Sequence, residues 1–145
     1  MSESEEAVIE VKDLVKRFGD LTVLDGINVA IPRGKITIIM GGSGCGKTTL
    51  LRHLIALHQP TSGKILVDGE NIVGLKEKEM NEVRRKFGML FQGSALFNSM
   101  TVGENVAVPL KEHTDLSAEI IRIIVRVKLE LVGLTGFEDF MPHQI

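Results

Sequence analysis

The chain has 145 residues, of which 43% are hydrophobic and 25% charged, a balance typical of a globular protein and not of a disordered one. Its net charge of −2 gives no indication of a nucleic-acid surface, and its single cysteine excludes an internal disulfide, which favours a reducing compartment. No apolar run has the length needed to span a bilayer, and the acidic first residues are unlike a signal peptide. The expected location is the cytoplasm, unless a partner holds the chain at a membrane.

Strands dominate the prediction for the first part of the chain. Residues 1–7 are predicted to form a disordered acidic tail. Apolar residues set among polar ones predict strands over 8–14 and 23–31, with a turn over 32–34. The β-branched run 35–40 is apolar enough to predict a strand buried on both faces, as in a parallel sheet.

A glycine-rich loop over residues 41–49 follows this predicted strand and fits the phosphate-binding pattern Gly-x-x-x-x-Gly-Lys-Thr. Glycines let successive backbone N–H groups turn inward around a triphosphate, and the helix that follows adds its unpaired N–H groups. The alternative is a glycine-rich turn between strand and helix that binds nothing. The predicted nucleotide-binding residues of this loop are Gly41, Gly42, Ser43, Gly44, Cys45, Gly46, Lys47, Thr48 and Thr49.

Four side chains of the loop have predicted roles of their own. Lys47 is a positive charge able to reach the outer phosphates, the Thr48 hydroxyl is placed to ligate Mg²⁺, and Thr49 can donate to an inner phosphate. Cys45 is interpreted as a space-filling residue, with a redox switch as the alternative.

Predicted helices and strands also fill the rest of the chain. The helix after the loop is expected to end near Leu57, with His53 solvated off its apolar face and His58 as a terminal charge or cap. The remaining predicted elements are a strand over 64–67, a turn at 68–69, a helix over 77–86, a buried strand over 87–91, and a helix that is capped by Asp115 or Ser117 and stops at Gly133.

Three features around the glycine loop resemble the ATP-binding subunit of an ABC transporter. They are the aromatic Phe18 ahead of the loop, the run 60–69 after its helix, and the pair Phe91-Gln92 at the end of a hydrophobic run. The resemblance extends over nearly all of the chain from residue 8. It implies an α/β fold of the P-loop NTPase class. An ABC-type ATPase core with an antiparallel β subdomain would occupy 8–92, and the Q-loop with an incomplete start of the helical subdomain would occupy 93–145.

The resemblance also implies a site for ATP and Mg²⁺ that reaches beyond the loop. Phe18 would stack on adenine, Val23 would flank the base, and Gln92 would contact both Mg²⁺ and the attacking water. The candidate catalytic residues are then Lys47 and Gln92, and the candidate metal ligands are Thr48 and Gln92. Considered alone, Phe18 could equally be a core aromatic, and Gln92 a solvated loop residue.

Residues 89–110, followed by 111–114, are similar to the ATPases of Mla-type phospholipid transporters. The similarity implies coupling of ATP hydrolysis to phospholipid transport across or between bacterial membranes, a membrane permease and a second ATPase subunit as partners, and no nucleic acid. It places the protein peripherally on the inner face of the inner membrane. Leu96, Phe97 and Met100 are candidate permease contacts, and the alternative is that they belong to the core of the helical subdomain.

Residues 141–145 resemble the stretch that leads into the signature motif of ABC ATPases. The resemblance implies that the signature, the Walker B aspartate, the catalytic glutamate and the switch histidine lie outside this chain. We therefore expect the truncated amino-terminal part of an ATPase, which alone hydrolyses little ATP. The alternatives are an ABC-type ATPase for another substrate, including one acting in repair or translation, and a non-catalytic nucleotide-binding module.

Overall fold

Two units make up the part of the chain that the computed structural model describes, which comprises residues 6–91, 93 and 95–145. The first unit extends to Met89 and the second begins at Leu90. Most of the predicted acidic tail and the candidate Gln92 lie outside the described residues, and the first strand already begins at Ala7. None of the described helices is long and apolar enough to cross a membrane.

The first unit is built on an antiparallel sheet of four strands, which are β1 Ala7–Phe18, β2 Leu21–Pro32, β3 Ser62–Val67 and β4 Glu70–Asn71. Their order in the sheet is β2-β1-β3-β4. The long strand β1 lies between its neighbours, so that Val11 is opposite both Val29 of β2 and Ile65 of β3. The predicted early strands and the short strand before the turn at 68–69 are thus confirmed.

A bulge interrupts β1 at Asp13, whose backbone has a left-handed φ of 49°. The pairing register shifts there on both sides of the strand. Asn28 holds the bulge from β2: its Oδ1 accepts from the Asp13 N–H at 2.9 Å, and its Nδ2 donates to Asp13 Oδ1 at 3.1 Å. Bulges of this kind increase the twist of a strand, and this one precedes the end of β1 that carries Phe18.

Two short helices, α1 Lys47–Leu54 and α2 Glu77–Arg84, complete the first unit. The helix α1 ends earlier than predicted, since Ala56 turns into the left-handed region with φ 59°. Apolar residues of both helices join those of the sheet in one core. Its buried members are Ile9, Val11, Leu14, Leu24, Leu54, Ala56, Ile65, Val67, Ile72, Met80 and Val83.

Two predicted strands, over 35–40 and 87–91, are not strands in the structure. Ile36 is 94% exposed, Met40 85% and Leu90 94%. A strand buried in a parallel sheet needs neighbours that take up its backbone hydrogen bonds on each side. Within residues 6–91, 93 and 95–145, the sheet pairings involve neither segment. The prediction of buried strands was therefore wrong for both segments, although Phe87 is half-buried and packs against the core.

The second unit contains α3 Val102–His113, α4 Ala118–Leu131 and a short 3₁₀ turn, Pro142–Gln144. Ser117 caps α4, as one of the two predicted candidates, and its Oγ accepts from the Ile120 N–H at 3.4 Å. Helix α3 was not predicted. It begins at a capping box in which Thr101 Oγ1 accepts from the Glu104 N–H and Glu104 Oε2 accepts from the Thr101 N–H.

The core of the second unit lies between α3 and α4. Val102 and Ala107 of α3 are buried with three residues of α4, namely Ile121, Val125 and Leu129. The chain after α4 returns over the start of α3, where the Gly103 N–H donates to the Glu138 carbonyl at 2.8 Å. A Cβ on Gly103 would lie 2.9 Å from that carbonyl oxygen, so this close approach requires glycine.

Candidate functional site

Within the glycine loop, Gly46 is the N-cap of α1 and has a φ of +95°. No side chain caps this helix end, and the first turn of α1 contains no acidic residue. The backbone N–H groups at the start of a helix have no partner within the helix, and the helix dipole adds a partial positive charge there. The start of α1 therefore offers donors to an anion and has no carboxylate of its own to compete for them.

Glycine at position 46 is required by the sheet as well as by its own backbone angle. A Cβ on Gly46 would lie 3.1 Å from the Val23 carbonyl oxygen, 3.1 Å from Leu24 Cδ2 and 3.4 Å from Val23 Cγ1. The loop thus packs directly on β2. Two predicted site residues, Val23 and Gly46, are brought together by this contact, and the buried Leu24 is a supporting residue that the sequence did not reveal.

The Lys47 ammonium lies across the loop that precedes it. Its Nζ donates to the carbonyl oxygens of Gly41 at 2.8 Å and Gly42 at 2.5 Å, and it lies 3.7 Å from Cys45 Sγ. The same sulfur lies 2.7 Å from the place where a Cβ on Gly41 would be, so Cys45 fills the space that Gly41 leaves. The loop is closed around a single positive charge.

The remaining loop residues present their surfaces outward. Gly44 adopts a φ of +78°, and the whole run 41–45 is exposed together with Thr48, whereas Thr49 is half-buried. The Thr48 hydroxyl is the one predicted magnesium ligand that the structure describes, since Gln92 lies outside the described residues. No group of three or more His, Cys, Asp or Glu side chains suited to a metal occurs within the described ranges.

Phe18, the predicted adenine platform, ends β1 and is 48% exposed, so it is not a core aromatic in this structure. Lys16 lies beside it, with Nζ 5.0 Å from the centroid of the ring. Lys16 was not among the predicted site residues. The sequence could have indicated Lys16, because it lies two positions before Phe18 and residues two apart on a strand point to the same face.

His53 is buried, with 0% exposure, and the prediction of a solvated side chain was wrong. Its Nδ1 lies 2.7 Å from the Thr49 carbonyl oxygen, which can only accept, so Nδ1 carries the proton. Among the described residues Nε2 has no hydrogen-bond partner. The chain after α1 turns back here, since the N–H groups of Leu57 and His58 both donate to the Arg52 carbonyl, and this brings the His58 ring against that of His53.

His58 lies beyond the end of α1, with its ring edge-on to that of His53 at 5.7 Å between centroids. Burial lowers the pKa of His58 below its ordinary value of 6.5. The nearby side chains of His53, Arg52 and Lys16, which carry or can take up a positive charge, lower this pKa further. The predicted role as a terminal charge is thus disfavoured, because these surroundings favour the neutral ring.

Acid is expected to weaken the fold through His58. Because the folded-state pKa is lowered, the unfolded chain binds this proton more readily, so stability is full above about pH 6.5 and falls as the pH drops towards the folded-state value. Urea unfolding of the full-length protein at pH 7.5 and at pH 5.5 measures the loss, which we expect His58→Gln to reduce. The exposed His113→Gln is the matched control, and an equal reduction in both variants would contradict the assignment.

A second group of predicted residues lies before α3. Phe97 is 55% exposed and Leu96 46%, so the alternative that placed them in the helical core does not hold for these two side chains. Asn105 fixes the segment: its Oδ1 accepts from the Phe97 N–H at 2.8 Å, and its Nδ2 donates to the carbonyls of Phe97, Met100 and Thr101. These apolar side chains are therefore displayed by a loop that is held in place.

A family model described as ABC transporter matches residues 24–143, which include the glycine loop and both helices of the second unit. The chain belongs to the ABC transporter family. The predicted fold class of an ABC-type ATPase core is confirmed by this match and by the solved structures described below.

Curated relatives of this ABC transporter chain include two ATP-binding proteins named MlaF of intermembrane phospholipid transport systems. The one from Haemophilus influenzae is 47% identical over 138 residues, covering 95% of this chain and 52% of its own length. The one from Escherichia coli is 44% identical over 145 residues, covering 100% and 54%. A probable ribonucleotide transport ATP-binding protein, mkl, from Mycobacterium leprae is 45% identical over 137 residues, covering 94% and 40%. The chain spans about half the length of the MlaF relatives.

Solved structures of the same family are superimposable on this chain. The ATP-binding cassette MJ0796, in a dimeric post-hydrolysis state bound to ADP and Pi, matches with a TM-score of 0.86 and 30% identity, over 94% of this chain and 62% of its own. The transporter component cbiO1 from Clostridium perfringens matches with a TM-score of 0.84 and 30% identity, over 97% and 56%.

Proposed function

We propose that this chain forms the amino-terminal, nucleotide-binding part of an ABC transporter ATPase that couples ATP binding and hydrolysis to phospholipid transport across or between bacterial membranes. The observation that carries the proposal is the uncapped start of α1 behind Gly46, with the Lys47 ammonium inside the loop. The phospholipid cargo is supported by the names of the MlaF relatives, which align with 95% and 100% of the chain.

ATP would be held chiefly by backbone donors and one ammonium group. The N–H groups at the start of α1 would donate to phosphate oxygens, and Lys47 would exchange the carbonyls of Gly41 and Gly42 for the outer phosphates. The Thr48 hydroxyl would ligate Mg²⁺ together with Gln92, and both supply the oxygen ligands that this ion prefers. Held by these two residues, Mg²⁺ would supply positive charge to the phosphoryl oxygens.

The purine would lie on the hairpin of β1 and β2. Phe18 offers a half-exposed aromatic ring next to the turn that joins these strands, and Val23 contacts Gly46 of the loop. Aromatic faces stack on any purine without using its hydrogen bonds, so Phe18 supplies affinity for the base. Lys47, Thr48 and the loop amides would bind and orient the triphosphate.

A membrane permease is the proposed partner of the second unit. Leu96 and Phe97 are large exposed apolar residues on a loop that Asn105 holds with four hydrogen bonds. Side chains of this kind on a fixed loop are suited to burial against another protein. A second copy of the ATPase would complete the catalytic sites, as the dimeric state of the solved cassette supports. Such a protein would lie on the inner face of the inner membrane.

A different cargo is the second candidate. The mycobacterial relative is named for ribonucleotide transport, and its identity to this chain, 45%, is close to that of the MlaF proteins. The described residues that we assign to the nucleotide site belong to the energy-coupling machinery and serve either cargo equally well. The two candidates therefore differ in what the permease moves and not in the chemistry of the loop.

Reconstitution of the full-length protein with its membrane partner tests the proposal. We expect ATP-dependent transfer of fluorescent phospholipid between vesicles, and we expect Phe97→Ser to weaken association with the partner about 10-fold or more while MgATP binding is unchanged. The exposed Leu116→Ser of the same unit is the matched control and should bind the partner normally. Movement of ribonucleotides without phospholipid would favour the second candidate. A full-length protein that does not bind MgATP would overturn both.

A further inference from the structure

We infer that Lys16 is a positioning residue for adenine: its ammonium, fixed on the Phe18 ring, makes that ring a better platform for the base of ATP. The inference rests on the proposed function, because it deepens the description of the same nucleotide site. It concerns the preference for a purine nucleotide over a bare polyphosphate, which the phosphate loop alone does not provide.

The geometry of Lys16 is that of a cation–π contact with a second anchor. Its Nζ lies 5.0 Å from the centroid of Phe18, within the range of about 6 Å at which an ammonium is attracted to an aromatic face. The same Nζ donates to the Gln59 carbonyl oxygen at 2.8 Å. A side chain with four rotatable bonds is thus held at both the ring and the backbone.

The anchor connects the purine side of the site with the far end of the phosphate-loop helix. Gln59 lies in the segment that follows α1, and two further bonds join this segment to β1. The Thr61 N–H donates to the Val15 carbonyl at 2.8 Å, and the Arg17 N–H donates to Thr61 Oγ1 at 3.0 Å. The strand end that carries Phe18 is therefore fastened to the chain leaving α1, and Lys16 is the contact that reaches the ring itself.

The electrostatics of stacking explain what the ammonium contributes. Both faces of an aromatic ring carry a partial negative charge, and this opposes face-to-face stacking of a second ring. A cation over the Phe18 ring offsets part of that charge, so a purine stacked on the ring meets less repulsion. Phe18 is 48% exposed, so the ring is accessible to a base while Lys16 contacts it.

Binding of two ligands to the full-length protein tests the inference. Lys16→Met keeps the length of the stem and removes the charge. We expect the Kd for MgATP to rise about 3- to 10-fold, while the Kd for magnesium tripolyphosphate, which lacks a base, stays within about twofold of the parent. Lys16→Arg should retain the preference for ATP. The matched control is Lys12→Met on the same strand, whose lysine pairs with Glu10 and should leave both constants unchanged.

A double-mutant cycle separates the proposed role from a general weakening of the fold. In a Phe18→Leu background, Lys16→Met should no longer affect MgATP binding, because the ring on which the ammonium acts is gone. The inference is wrong, and Lys16 is a structural residue, if Lys16→Met weakens the binding of MgATP and of tripolyphosphate equally. The same holds if Lys16→Met weakens MgATP binding as strongly in the Phe18→Leu background as in the parent. If the parent protein does not bind MgATP, the proposed function fails instead.

Discussion

Lys47→Ala in the full-length protein is expected to lower the rate of ATP hydrolysis about 100-fold or more. The ammonium is the one cationic side chain of the loop run 41–49, and its position against the carbonyls of Gly41 and Gly42 keeps it next to the proposed triphosphate site. The variant loses the charge that would act on the outer phosphates as negative charge develops there. Steady-state phosphate release with the membrane partner present measures the effect.

The same variant also removes the two hydrogen bonds that close the loop, and binding data distinguish this loss from the loss of charge. A loosened loop would weaken the binding of ADP and of ATP to the same extent. A missing contact with the outer phosphates would weaken the binding of ATP more than that of ADP. We expect the second pattern in calorimetric titrations. Lys64→Ala, at an exposed position of β3, is the control and should match the parent in both measurements. If Lys47→Ala hydrolysed ATP at the parental rate, the proposed role of Lys47 in the mechanism would be wrong.

The geometry of the glycine loop could be predicted from the sequence because its determinants are local. The positive φ of Gly44 and Gly46 requires glycine wherever the loop lies, and the lysine that closes the loop comes directly after Gly46. The N–H groups at the start of α1 are unpaired by the geometry of any helix. None of these properties depends on a residue far away in the chain, so the pattern was sufficient to predict the turn and the helix start, while phosphate binding there stays a prediction.

Burial could not be predicted in the same way, because it depends on neighbours distant in sequence. The run 35–40 has the composition of a buried strand, yet Ile38 is exposed because among the described residues no strand pairs with it. His53 shows the opposite error: its place on α1 suggested solvent, but it is buried, and the returning chain brings the His58 ring against it. Periodicity gives the face of an element, and only the fold decides what lies against that face.

Helix α3 was missed for a local reason that could have been recognised. Its capping box, Thr101 with Glu104 three residues later, is a known start signal, and the apolar residues that follow have a helical spacing. Pro109 inside the helix argues against a helix prediction, because proline lacks the backbone N–H that donates the helical hydrogen bond. The start of α3 could therefore have been predicted from the sequence, while the continuation of the helix past Pro109 depends on packing against α4.

Gly63→Ala is expected to destabilise the first unit by about 3 kcal/mol or more, the range of severe steric and backbone strain. Gly63 has a φ of +95°, and a Cβ there would overlap the Asp13 carbonyl oxygen and lie 2.7 Å from the Leu14 Cα. These are backbone atoms of the β1 bulge, next to the fully buried side chain of Leu14, so they cannot move aside without disturbing the core. Urea unfolding of the full-length protein measures the loss.

Gly69→Ala separates the steric part of this effect from the backbone part. Gly69 also has a positive φ, +81°, but a Cβ there would meet no atom within 4 Å. It is expected to cost only about 1 kcal/mol, the penalty for placing alanine in a left-handed conformation. The difference between the two variants is then the free energy of forcing β3 away from the bulge of β1. Equal losses would mean that the sheet accommodates a side chain at Gly63, and that the bulge does not fix how closely β3 approaches the strand that carries Lys16 and Phe18.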